Sequence, residues 1–328
     1  MKLGIVGNGM IVKTVLHELE KTDIESTALW CRSEERGKPV AEAFNIKKVY
    51  TDYDAFLKDE SFDTVYIGLT NNVHYEYAKK ALLAHKVVIV EKPFTSTYSE
   101  ARDLFRTAVE NNVFLFEAML TRYSANYEAI SSHLDEIGEL RLVRSTYCQY
   151  SSRYDAYLRK EVKPAFDPEL SGGALMDINV YNISFVTGLF GAPMNAYYMA
   201  NIGFNGIDTS GVLTMDYGSF KAVCTGAKDC SGKNGIMIQG TKGWIEVPDR
   251  PGFIANVTLH KYEDNSDILI DVAKESPYEV EFERIAEVIE KKDVATMYNW
   301  LNNSLQAMLV MENARQDAGI VFSADERE

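Results

Sequence analysis

Over residues 1–120, short apolar runs alternate with stretches of helical spacing. The runs at 3–6, 27–31, 48–50, 64–69, 87–90 and 113–116 read as strands, and 11–19 and 75–84 are examples of the helices between them. Repeated strand–helix units of this length argue a parallel sheet with helices on both faces, a doubly wound α/β domain. The pattern then changes. The runs 141–150, 196–204, 211–217 and 220–225 follow one another with few helices between them. Leu213, Met215 and Tyr217 alternate with Thr214 and Asp216, the period of a half-buried strand. Helical spacing returns at 276–291 and 296–318. The expected fold is α/β: a nucleotide-binding domain over 1–120, then an α+β domain over 121–328 built on a large, mostly antiparallel open sheet. The last helix, about 296–318, is expected to pack back on the first domain.

Two strand ends carry candidate chemistry. The first strand runs into Gly7-Asn8-Gly9-Met10-Ile11-Val12, a degraded GxGxxG. Gly7 permits a tight turn and Gly9 lets a pyrophosphate approach the backbone. The amides of Met10 and Ile11 then open a helix, a natural anion site. Val12 stands where glycine or alanine is usual and spaces helix and strand slightly further apart. At the end of the second strand, Cys31-Arg32-Ser33 replaces the acid that would bind a ribose 2′-hydroxyl. Arg32 and Ser33 are suited to a 2′-phosphate instead, which points to NADP over NAD. The other strand end is Glu91-Lys92-Pro93, closing the run Val87-Val88-Ile89-Val90. A lysine at the carboxyl edge of a doubly wound sheet, beside a bound dinucleotide, is a candidate for proton transfer.

Composition narrows the classes. The chain has 328 residues, 46% hydrophobic and 25% charged, ordinary values for a globular protein. No apolar run approaches the ~20 residues that span a bilayer, and the N-terminus runs straight into a strand without a signal-peptide pattern. A net charge of −14 repels nucleic acid and anionic membranes, so neither is an expected partner. Cys31, Cys148, Cys224 and Cys230 show no ligand-like spacing, which fits a reduced cytoplasmic setting. No His, Asp and Glu pattern suggests a metal, and hydride transfer does not require one.

With these residues on the page, the chain resembles the Gfo/Idh/MocA oxidoreductase family over nearly its full length. Leu69-Thr70-Asn71-Asn72-Val73-His74 is similar to that family's TPNxxH loop, with Thr70 in place of proline. Glu91-Lys92-Pro93 matches its EKP. Residues 116–123, FEAMLTRY, resemble the EAMWxRF stretch of the dihydrodiol and D-xylose dehydrogenase branch, with Leu120 for tryptophan. Residues 172–181, GGALMDINVY, resemble that branch's GGALLDIGVY, with Asn179 for glycine. Residues 240–245, GTKGWI, are also similar. Near 164–167 the asparagine–arginine pair often found in that branch is missing, which leaves the substrate open.

The resemblance implies an NAD(P)-dependent dehydrogenase or reductase acting on the carbinol of a sugar, polyol or dihydrodiol. It also implies cofactor contacts from Leu69, Thr70, Asn71, His74, Glu91 and Lys92. Lys92 and Tyr181 are the expected proton-transfer pair, since a nearby ammonium favours phenolate. Asp177, four residues before Tyr181, shares its face if the segment is helical, and would orient the substrate hydroxyl or Lys92. Lys92–Pro93 is expected to be cis, as X–Pro bonds in tight turns often are. A tyrosine- and methionine-rich second sheet, with 146–150 and 196–200 its richest segments, points to a homodimer. Two other functions stay open: a cofactor-binding regulator without catalysis, and an enzyme of other chemistry using the nicotinamide transiently.

Overall fold

A computed structural model describes residues 1–272 and 276–327. Its first sheet contains β1 (Lys2–Val6), β2 (Glu25–Trp30), β3 (Lys48–Tyr50), β4 (Thr64–Ile67), β5 (Val87–Glu91) and β6 (Leu115–Ala118). All neighbours pair in parallel, in the order β3-β2-β1-β4-β5-β6. The direction of winding reverses between β1 and β4, which sets the crevice where such sheets take ligands. The last strand starts later than the expected 113. Asn112 caps the helix Tyr98–Asn111 in the left-handed conformation, and the Val113 amide is spent on Ala108 O. The ladder then continues through Glu117 and Ala118, opposite Val90 and Glu91.

The second sheet contains β7 (Leu140–Cys148), β8 (Asn195–Ile202), β9 (Asp208–Asp216), β10 (Lys221–Ala227), β11 (Gly235–Gly240), β12 (Gly243–Val247), β13 (Thr258–Lys261) and β14 (Ser266–Leu269). Their order is β14-β13-β12-β11-β7-β10-β9-β8, antiparallel except for the central β7–β10 pair. Between β7 and β8 the chain is more helical than its spacing suggests. It forms the short helix Tyr154–Leu158, two 3-10 turns, a π-helical turn over Leu175–Asn179 and the helix Val180–Phe190. Both turns around Pro164 and Pro168 begin on proline, and such short pieces have no room to display a period.

The chain forms two compact units: Met1–Ala118 with Tyr278–Asn302, and Met119–Pro277 with Asn303–Glu328. The first break lies two residues before the expected 120/121. The helix Pro277–Glu290, expected in the second domain, lies almost wholly in the first unit, which also takes the opening of Val294–Asp317. Buried apolar side chains explain this. Phe282 sets its ring edge-on to Tyr66 of β4 at 5.4 Å, and the Leu115 amide approaches the Met297 sulfur at 3.5 Å. Each unit therefore has its own core, one on the parallel sheet and one under the helix Val180–Phe190.

Two close approaches explain departures from the family pattern. A Cβ on Gly68 would lie 2.6 Å from Val12 Cγ2. The glycine that lets the first helix pack tightly thus sits on the neighbouring strand end rather than at position 12. Similarly, Asn179 fills space that a Cβ on Gly226 would occupy, 2.7 Å from its own Cβ. Asn179 Nδ2 donates to Cys224 O at 3.3 Å and its Oδ1 accepts from Asn182 at 2.8 Å. Asn182 in turn donates to Thr225 O and accepts from Ser145 Oγ. These buried amides satisfy one another and tie the helix to β7 and β10.

Candidate active site

The glycine turn has the shape an anion needs. Gly7 holds φ +113°, where a side chain would be strained and would strike Gly68 O. Gly9 is the N-cap of the helix Met10–Leu19, and a Cβ there would meet nothing within 4 Å. No side chain caps this helix and no acid lies in its first turn. The amides of Met10 and Ile11 thus open a helix whose positive dipole end meets a side-chain-free approach. Met10 is itself largely exposed.

At the end of β2 the cysteine turns inward. Cys31 Sγ donates to Ser33 O at 3.1 Å and sits where a Cβ on Gly37 would fall. Burial pushes its thiol up, so it stays neutral at neutral pH. Arg32 is exposed, and Ser33 occupies the N-cap of the helix Glu34–Ala43 without a side-chain cap bond. Arg32 lies close enough to Tyr77 for its charge to oppose the rise that burial gives that phenol.

The loop after β4 and the turn after β5 are braced together by one imidazole. His74 is fully buried, with Nδ1 3.0 Å from Pro93 O and Nε2 3.2 Å from Leu69 O. A neutral ring donates to one of these carbonyls at a time. Burial lowers its pKa, the two carbonyls oppose that, and the Lys92 charge adds to it. His74's ring contacts are thus with the protein's own backbone. Thr70 takes φ −77° at the head of the 3-10 turn Asn71–Val73, a value proline would impose, and donates to Asn72 Oδ1 at 2.9 Å. The Lys92–Pro93 bond is cis, as expected. Lys92 is half-buried. Glu91, beside it, is buried, and its Oε1 accepts from Tyr66 Oη at 2.7 Å. Burial raises the Glu91 carboxyl to about 7, with Lys92 and the Tyr66 bond opposing and Glu117 adding. Glu91 therefore faces the interior of the sheet layer.

In the second unit, Asp177 lies in the π-helical turn and Tyr181 in the first turn of the helix after it. Lys228, just past β10, is an ion-pair partner of Asp177 that the sequence pattern gave no reason to choose. Its side chain is 2% exposed against 33% for Asp177. Lys228 Nζ also donates to Ala165 O at 3.2 Å and lies 4.8 Å over the Phe166 ring. Upstream, Asp208 Oδ2 accepts from the Leu175 amide at 2.6 Å and from Tyr198 Oη at 2.7 Å. Its carboxyl is raised by burial. Gly173 holds φ +104°, and a Cβ there would collide with Asp208 Oδ1, so glycine is required at the turn's entry. Tyr181 packs its ring 5.8 Å from that of Tyr147, and a Cβ on Gly252 would meet it at 3.2 Å. Lys92 belongs to the first unit, Asp177 and Tyr181 to the second. Among the described residues no group of three or more His, Cys, Asp or Glu could hold a metal ion, and no helix is long and apolar enough to cross a membrane.

Comparison with known proteins agrees with this architecture. The model of an oxidoreductase family with an NAD-binding Rossmann fold, GFO_IDH_MocA, matches residues 1–119, and the GFO/IDH/MocA C-terminal domain matches 130–246. The scyllo-inositol 2-dehydrogenase (NADP(+)) IolU of Bacillus subtilis (strain 168) is 33% identical over 336 residues, 99% of each chain. The trans-1,2-dihydrobenzene-1,2-diol dehydrogenase of Homo sapiens is 27% identical over 345 residues, 100% of this chain and 99% of that one. In fold, the chain matches KijD10, a 3-ketoreductase from Actinomadura kijaniata solved with NADP and TDP-benzene, at a TM-score of 0.84 with 22% identity and 97% of each chain covered. The chain belongs to the Gfo/Idh/MocA family and is an NAD(P)-binding oxidoreductase.

Proposed function

We propose that the protein is an NADP(H)-dependent dehydrogenase of a cyclic polyol or sugar, with Lys92 and Tyr181 in proton transfer and Asp177 orienting the reacting hydroxyl. The observation that carries the cofactor half is the end of β2. Cys31 stands at the strand end in place of an acid and faces inward, and Arg32 is exposed for a 2′-phosphate. The full-length relative at 33% identity, an NADP-dependent inositol dehydrogenase, supports the substrate class.

The residues divide the work. Gly7, Gly9 and the amides of Met10 and Ile11 would take the pyrophosphate, Arg32 and Ser33 the 2′-phosphate. Leu69, Thr70 and Asn71 would line the nicotinamide side. His74 and Glu91 serve from behind, one fixing the two turns and the other setting the field at Lys92. The bound nicotinamide supplies hydride transfer. Tyr181 would take the hydroxyl proton as the carbinol is oxidised, and Lys92 would serve the same proton transfer. Lys92→Met tests this: the cooperative melt and NADPH binding should persist while kcat for scyllo-inositol or a related polyol falls by ~10²-fold or more. Near-normal turnover would sink the assignment.

The second sheet supports a two-fold homodimer. Helix Val180–Phe190 and the π-helical turn before it cover one face, Asn182 through Ser145 and Asn179 through Cys224 and Gly226. On the other face Leu142, Tyr197 and Met199 are 46%, 62% and 66% exposed, beside Val212, Val223 and Met237. The same face carries the exposed Arg144 and Lys221; exposed aromatic, methionine and arginine side chains are enriched at interfaces, and a self-complementary patch closes on a two-fold axis. Light scattering behind a sizing column should give twice the 36.9 kDa chain mass; a monomer at micromolar concentration refutes it.

A further inference from the structure

We infer that Lys228 is a positioning residue of the catalytic machinery: through its ion pair it fixes Asp177 as the hydrogen-bond acceptor for the reacting hydroxyl. The inference rests on the reading of Asp177 given above.

A lysine is among the residues least often fully buried, and an ammonium out of water is costly unless paired and hydrogen-bonded. Lys228 meets that condition at both ends. Its amide donates to Thr209 O and its carbonyl accepts from the Ser151 amide, both at 2.8 Å. Its backbone is therefore pinned by β9 and by the chain leaving β7. Its ammonium is held by the Asp177 carboxylate, by Ala165 O at 3.2 Å and by the Phe166 ring. Ala165 and Phe166 belong to the 3-10 turn Pro164–Phe166, and Phe166 is itself fully buried. The cation is thus a fixed point to which Asp177 is tied.

The pairing is asymmetric. Lys228 is enclosed, while a third of the Asp177 side chain remains exposed. A carboxylate offers about four lone-pair sites, so the ion pair with Lys228 does not by itself exhaust it. Its backbone is also placed with care: the Asp177 amide donates to Gly173 O at 3.0 Å, inside a π-helical turn whose entry is held by Asp208. Single π-turns inside helices recur at functional sites.

The test is a double-mutant cycle on the full-length protein with NADP(H) and the best polyol substrate. Lys228→Met should lower kcat by ~10²-fold while NADPH affinity stays within about threefold of wild type. Asp177→Asn should give a similar loss. Lys228→Met combined with Asp177→Asn should be no slower than the poorer single variant, since each acts through the same pair. Lys228→Arg, which keeps the charge, should recover most of the kcat loss, and it carries the test if Lys228→Met does not fold. Two results overturn the inference, and they are distinguishable. Independent losses, multiplying in the double variant, or a Lys228→Met defect confined to melting temperature, mean that Lys228 is structural while Asp177 keeps its role. Wild-type turnover in Asp177→Asn removes Asp177 from the site, and Lys228 with it.

Discussion

Replacing Glu91 by glutamine isolates the electrostatic cost of a carboxyl buried beside Lys92. Burial moves its pKa from 4.5 to about 7, against the partial opposition of Lys92 and the Tyr66 hydroxyl. A pKa unit is worth about 1.4 kcal/mol, so a shift of this size corresponds to about 3 kcal/mol. The sign follows from proton counting. Between 4.5 and about 7 the native protein holds a proton that the unfolded chain has released. The stabilisation is therefore full below 4.5 and is lost as pH rises through about 7. Above that range the wild type buries a carboxylate. Glu91→Gln buries none, and its amide oxygen still accepts from Tyr66. Urea unfolding of the apoprotein should show the two proteins nearly matched close to pH 4.5 and the variant ahead by about 3 kcal/mol near pH 8. The variant's stability should also lose the component that falls between those values. A variant that is equal or less stable near pH 8 would refute the reasoning: Glu91 would then be an anion whose pairing with Lys92 outweighs its desolvation.

Further outcomes can be checked on the same protein. Arg32→Ala should weaken NADPH binding by about tenfold or more while leaving NADH nearly unchanged, because only the 2′-phosphate loses a charge-assisted partner. Calorimetric titration of both cofactors decides, and an equal shift in the two would place Arg32 away from the phosphate. Gly226→Ala puts a Cβ 2.7 Å from Asn179 Cβ and 3.2 Å from its Cα, and should cost about 1–3 kcal/mol of stability. An unchanged melt in Gly226→Ala would show that the close approach is relieved elsewhere.

Much of this molecule is legible in one dimension. Alternation of apolar strands with helical spacing announces a parallel sheet, because a strand buried on both faces must be apolar throughout. Gly7, Gly9 and the Glu91-Lys92-Pro93 triplet are readable because both motifs are contiguous and lie at strand ends. The same holds for Cys31 in the place of an acid. Other features depend on residues far apart in the chain. Nothing near Val12 says that Gly68 makes its room, and nothing near Asn179 names Gly226. The resemblance implies a cofactor contact from His74, but nothing in its sequence position shows that its ring meets two carbonyls contributed by separate turns. Lys228 lies 51 residues from Asp177 and follows an ordinary strand, so its spacing carries no signal. Periodicity records only which face of an element is apolar. Which distant polar group meets another, and at what burial, is set when the faces pack, and charge state, ion pairing and side-chain aim are decided at that step.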